Sequence, residues 1–198
     1  IWIIDHSTTI QEAAGSTGGN SGVGGDLIYR WGNPLTYRRG GPEDTRLFFQ
    51  HHSNWIDDLV PDTVQDYGKI ILYNNRVPNP PFGEYSTVEV LTPVFDEVNQ
   101  KYELGMDGTY LPATPDWVYV TSDTNQMYSD ILSSAQRLGN GHTLIGVGRP
   151  GVGIEVDTQG NVVWEYKSPM VPGGPVSQGD TVELSQNPLF RVLRYPPE

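Results

Sequence analysis

Gln50-His51-His52-Ser53-Asn54-Trp55-Ile56, followed further on by Gly68-Lys69-Ile70-Ile71-Leu72-Tyr73-Asn74-Asn75-Arg76, decides how this chain is read. A polar, histidine-bearing segment leads into an apolar run that ends in polar groups. The order returns in weaker form. Ser133-Ser134-Ala135-Gln136-Arg137-Leu138 precedes Gly141-His142-Thr143-Leu144-Ile145-Gly146-Val147-Gly148-Arg149. Recurrence in fixed order over tens of residues marks a repeat architecture.

Reading outward, each run acquires two successors. After the first pair come Ser86-Thr87-Val88-Glu89-Val90 and Asp116-Trp117-Val118-Tyr119-Val120. After the second come Gly153-Ile154-Glu155-Val156-Asp157 and Asn161-Val162-Val163-Trp164-Glu165-Tyr166. Turn-forming residues separate the runs: Gly-Gly at 24–25 and 40–41, Asn79-Pro80-Pro81, Asn140-Gly141 and Gln159-Gly160-Asn161. Four-stranded units of about 40–50 residues are the blades of a β-propeller.

The expected fold is therefore all-β, a propeller of four-stranded blades with about two complete and two partial ones here. Residues 1–34 read as the end of one blade, 50–122 and 133–169 as blades, and 187–196 as the first strand of the next. So small a part of a ring leaves open edges, and the remaining blades are expected from another chain or segment, with a homo-oligomer or larger assembly as one route.

Composition agrees. The 198 residues include 23 glycines and 16 prolines, a share well above the usual one of about 12%. Five tryptophans, eleven tyrosines and five phenylalanines speak against disorder and for a turn-rich β protein. A net charge of −12 disfavours nucleic acid as a partner. Cysteine is absent, so disulfide and thiolate chemistry are excluded. No apolar run is long enough to span a bilayer as a helix. This composition suits a secreted protein without establishing one.

Gly24-Gly25-Asp26-Leu27-Ile28-Tyr29-Arg30-Trp31-Gly32-Asn33-Pro34, Gln50-His51, and Gly68-Lys69-Ile70-Ile71-Leu72-Tyr73-Asn74-Asn75 together resemble the arylsulfotransferase β-propellers. So do the runs Ala135–Ile145 and Glu155–Tyr166, and the likeness is nearest to the large bacterial branch of that family. The resemblance implies a six-bladed ring, a periplasmic or extracellular location, and no cofactor. It also implies transfer of a sulfuryl group from an aryl sulfate to a phenol through a sulfohistidine. The position matching the family's nucleophile is His51. Two departures stand out: Asn74 where the family often has aspartate, and His52 where the related branch often has aspartate or asparagine.

Neutral imidazole is a competent nucleophile near neutral pH, and His51 is the candidate catalytic residue, with a structural histidine across the channel as the plain alternative. Candidate substrate-binding groups are Asn54, Asn74, Arg76, Arg149 and His6. The two arginines follow second strands at equivalent repeat positions, where each either binds a sulfonate or bridges neighbouring blades. His52 is expected on the opposite face of its strand, and His142 in a turn. No metal site is expected, because adjacent strand residues diverge and no third ligand is evident. The aspartates at 57, 58, 62, 123 and 130 match no calcium-loop pattern. Trp31, Trp117 and Trp164 occupy matching places on fourth strands and are expected to wedge between blades. The run Gly15–Gly25 lacks the lysine and helix of a phosphate loop and reads as a flexible connection. The rival reading is a non-catalytic propeller acting as a binding or assembly module.

Overall fold

The computed structural model describes residues 1–195 and is all-β, built from antiparallel sheets. In chain order the first strands are β1 (Trp2–Ile4), β2 (Leu27–Arg30), β3 (His51–Trp55), β4 (Ile70–Pro78) and β5 (Glu84–Leu91). Then come β6 (Phe95–Asp96), β7 (Lys101–Tyr102), β8 (Trp117–Tyr119), β9 (Ser134–Arg137) and β10 (Thr143–Val147). The last are β11 (Val152–Val156), β12 (Val162–Lys167), β13 (Met170–Val171) and β14 (Gly174–Pro175). One short helix, α1, spans Ile10–Ala13. No helix among the described residues is long and apolar enough to cross a membrane.

The chain folds as two compact units. Residues 1–47 and 92–114 make the first; residues 48–91 and those from 115 onward make the second. In the first unit β1 pairs with β2, and Ile1 is tied in through the Trp31 carbonyl. Tyr29 is fully buried between Tyr102 and Tyr110, with ring centroids 4.8 and 5.2 Å away, and its hydroxyl donates to the Leu111 carbonyl. Helix α1 starts on a reciprocal cap, the Thr9 hydroxyl accepting from the Glu12 amide and the Glu12 carboxylate from the Thr9 amide. The glycine run reads differently in space than in sequence. It is packed down on α1, and a Cβ at Gly25 would lie 2.0 Å from the Ala13 carbonyl oxygen, so only glycine fits there.

The second unit carries the repeat. β3-β4-β5-β8 and β9-β10-β11-β12 are two four-stranded antiparallel meanders of the same connectivity. Period-two alternation sends Ile71 and Tyr73, Val88 and Val90, Ile145 and Val147, and Ile154 and Val156 into one shared core. Each such side chain stabilises the fold by roughly 1.5–3 kcal/mol. Tyr73 in this core donates its hydroxyl to the Met127 carbonyl. The outer strand β12 is exposed along its whole length.

Neither a closed barrel nor a propeller ring is formed by the described residues; what stands is the pair of stacked meanders. The expected strand over 187–196 ends at a residue outside the described ones, and residues 189–195 form no strand. A strand is defined by a backbone ladder, and among the described residues only the Leu189 amide finds a backbone partner there, the Gly148 carbonyl at 2.9 Å.

Candidate active site

His51 opens β3, and its surroundings come from local strain and from β4. Phe49 takes φ 57° and His52 φ 52°, both left-handed, so the chain is bent on either side of His51. Between His51, opposite Tyr73, and Asn54, opposite Ile71, β3 carries one residue more than β4, a bulge that re-aims the side chains.

The His51 Nδ1 lies 2.8 Å from Asn75 Oδ1 and 3.0 Å from the Phe49 carbonyl oxygen. Asn75 is fully buried, and its Nδ2 donates to the carbonyls of Ser129 and Leu132 at 2.8 and 3.0 Å. Those two bonds fix which end of the amide faces the ring. Both partners of Nδ1 are therefore acceptors. The neutral ring must carry its proton on Nδ1, which leaves the Nε2 lone pair available.

Around this pair sit two guanidinium–carboxylate pairs. Arg76 lies 4.8 Å over the ring of Phe49 and donates from Nε to Glu84 at 2.9 Å, and the Tyr128 hydroxyl donates to the same carboxylate at 3.0 Å. Arg149 grips both oxygens of Asp130 and reaches Ser185, while its backbone amide donates to the Ser129 hydroxyl. The Arg76 hydrogen bond holds the Glu84 carboxyl below its usual range, and that from Arg149 does the same for Asp130. Arg76 lies inside β4 rather than after it.

The remaining sequence candidates divide. Asn74 is buried, receives the Phe48 amide at 2.8 Å and donates to Glu89 at 2.9 Å, so it braces the backbone ahead of His51. Asn54 spends its amide on the carbonyls of His52 and Ala135. His52 shares Ala135 with it, at 3.1 Å from Nδ1, and burial lowers its pKa. Its Nδ1 also faces the Asn54 amide nitrogen, so one neighbour wants a donor and the other an acceptor, and no single tautomer suits both. His52 and Asn54 line a cleft of about 520 Å³ with Trp55, Leu59 and Gln136; His51 is not among its lining residues. His6 belongs to the first unit, exposed in the turn after β1. His142 pairs with Glu155 at 2.8 Å.

Trp117 and Trp164 each stack on the tyrosine two residues on and lie under an arginine, Arg137 and Arg194 respectively. Trp31 departs from this pattern. It is buried in the first unit just beyond β2 and donates to the Pro112 carbonyl. Sequence reasoning passed over Phe49, Glu84, Tyr128 and Ser129, and weighed Asp130 only as a calcium ligand.

Aligning the meanders through their second strands sets Arg76 on Arg149, Tyr73 on Gly146 and Asn75 on Gly148. His51, opposite Tyr73, then matches Ser134, opposite Gly146. The second meander thus forms without either member of the His51–Asn75 pair. No protein-family description, no curated protein and no solved structure matches the chain.

Proposed function

We propose that the second unit is two blades of an arylsulfotransferase-like propeller, and that His51 carries a sulfuryl group between an aryl sulfate and a phenol. Nε2 attacks sulfur, the N–S bond forms as the S–O bond to the aryl group breaks, and the aryl oxide leaves. The acceptor phenol then attacks the same sulfur, releases the imidazole and gives its proton to solvent. The reaction needs no nucleotide donor or other cofactor.

The observation that supports this reading best is the His51–Asn75 pair, together with its absence from the matching place in the second meander. A group that served only to hold strands in register would be required in both. The fixed tautomer supplies what a nucleophilic imidazole needs, and the sequence resemblance supplies sulfur as its target. The remaining blades, from another chain or segment, would bring the cations that hold the sulfonate oxygens. A periplasmic or extracellular setting follows from the same resemblance.

The experiment is incubation of the full-length protein with p-nitrophenyl sulfate and a phenol acceptor. Nitrophenol release that disappears in His51→Ala, with sulfation of His51 seen by mass spectrometry, is the expected result. No release, or an undiminished rate in His51→Ala, ends the catalytic reading. One observation favours the rival, a propeller that binds or assembles without chemistry: the guanidiniums of Arg76 and Arg149 are already held by carboxylates.

A further inference from the structure

A second set of polar residues separates the two meanders. With Arg76 set on Arg149, Asn74 falls on Val147, Thr87 on Val152 and Glu89 on Ile154. Thr87 faces Asn74 and Glu89 faces Leu72 across β4 and β5, as Val152 faces Val147 and Ile154 faces Ile145 across β10 and β11. The first meander thus buries an amide, a hydroxyl and a carboxyl where the second packs three aliphatic side chains. Buried polar groups cost stability unless hydrogen-bonded, and well-packed apolar replacements are often no less stable. The second meander shows that this connectivity accepts them, so the triad is to be explained by what it holds.

It holds the chain just ahead of His51. Glu89 Oε1 accepts from Thr87 Oγ1 at 2.7 Å and from Asn74 Nδ2 at 2.9 Å, which leaves Asn74 Oδ1 for the Phe48 amide at 2.8 Å. The Phe48 carbonyl accepts from the Arg76 amide at 3.0 Å, so this residue is fastened to β4 through both its backbone groups. Phe49 then makes the left-handed bend and presents its carbonyl to His51 Nδ1. The other acceptor at Nδ1, Asn75 Oδ1, belongs to the residue after Asn74 on β4. One acceptor therefore stands on β4 and one on the incoming chain, and the triad sets the spacing between them.

The bend alone does not require such a triad. The second meander bends at the matching residue, Leu132 at φ 60°, and ties the preceding Ile131 carbonyl with the hydroxyls of Ser129 and Ser133. Where no imidazole follows, local hydroxyls suffice.

We propose that Glu89, with Thr87, is a positioning residue for His51, acting through Asn74 and Phe48 to keep the Phe49 carbonyl on the Nδ1 proton. The proposal rests on the reading of His51 as nucleophile. A ring held at two acceptors keeps Nε2 aimed at sulfur, and misplacing a reacting group by about 1 Å costs about a hundredfold in rate.

The test gives the first meander the residues of the second: Asn74→Val, Thr87→Val and Glu89→Ile together, in the full-length protein. The triple variant should fold cooperatively in urea. Nitrogen NMR of labelled His51 should show the Nδ1–H tautomer of the wild type giving way to a mixture, and p-nitrophenol release should fall about tenfold or more. Glu89→Gln, which keeps an acceptor for Asn74, should retain the wild-type His51 spectrum. Unchanged His51 resonances in the triple variant overturn the proposal. Failure of that variant to fold overturns it too, by making the triad a structural requirement, and so does a tautomer mixture in Glu89→Gln. The NMR result is read on the resting protein and stands apart from turnover, whose absence in the wild type would end the sulfuryl-transfer reading alone.

Discussion

The guanidinium of Arg137 lies 4.8 Å above the ring of Trp117, while its Nη2 meets Asp66 at 2.7 Å. Only 7% of Arg137 is exposed, so a cation is held between an aromatic face and a carboxylate across the two meanders of the second unit. Removing the carboxylate strands that charge, whereas removing the cation does not. Asp66→Ala should cost about 3 kcal/mol, and Arg137→Met, which keeps the apolar cover on Trp117, clearly less. Urea unfolding of the two variants checks the order; equal costs would show that the pair adds nothing beyond packing.

Asn75 governs the His51 ring. In Asn75→Ala the Nδ1 proton loses its second acceptor and the carbonyls of Ser129 and Leu132 lose a donor. Nitrogen NMR of labelled His51 should show the Nδ1–H tautomer dominant in the wild type and a mixture in the variant. Stability should fall by about 1–3 kcal/mol, the cost of orphaned buried polar groups.

Glu89 is buried beside Asn74 and Thr87, and burial raises its pKa in spite of the hydrogen bonds from both. A carboxyl with a raised folded pKa favours the folded state fully below its unfolded value, near 4.5, and loses that contribution as pH rises through the folded value. Wild type should therefore lose stability relative to Glu89→Gln as pH rises above about 4.5. Denaturant titrations at several pH values check this, and parallel curves for the two proteins would contradict it.

Tyr73 is fully buried, and its hydroxyl serves the Met127 carbonyl. Tyr73→Phe keeps the ring and orphans that carbonyl. The expected loss is about 1–3 kcal/mol with an unchanged denaturant slope. A neutral substitution would mean that water reaches Met127.

Much of the second unit was legible because alternation and turn chemistry speak locally. Thr143–Val147 lies between Asn140-Gly141 and the Arg149-Pro150 turn, and is β10 to the residue. The polar segment Gln50–Ile56 is a strand only over His51–Trp55; left-handed Phe49 bends the chain ahead of it and left-handed His52 sits in its bulge, and neither is a glycine that would announce the bend. Arg191–Tyr195 carries a strand pattern, but pattern cannot supply a partner. Arg76 and Arg149 were recognisable as equivalents; Glu84 and Asp130, which pair with them, stand in no fixed sequence relation to them. The His51–Asn75 contact joins residues 24 apart through a bulge, and no periodicity reports it. Comparing the two repeats position by position would have flagged it, through Ser134 and Gly148.

The bulge in β3 separates the two repeats at a single point. One additional residue, accommodated between pairings that persist on either side, lets the first meander present an imidazole where the second carries the hydroxyl of Ser134, so the same ladder tolerates two different groups at its opening position.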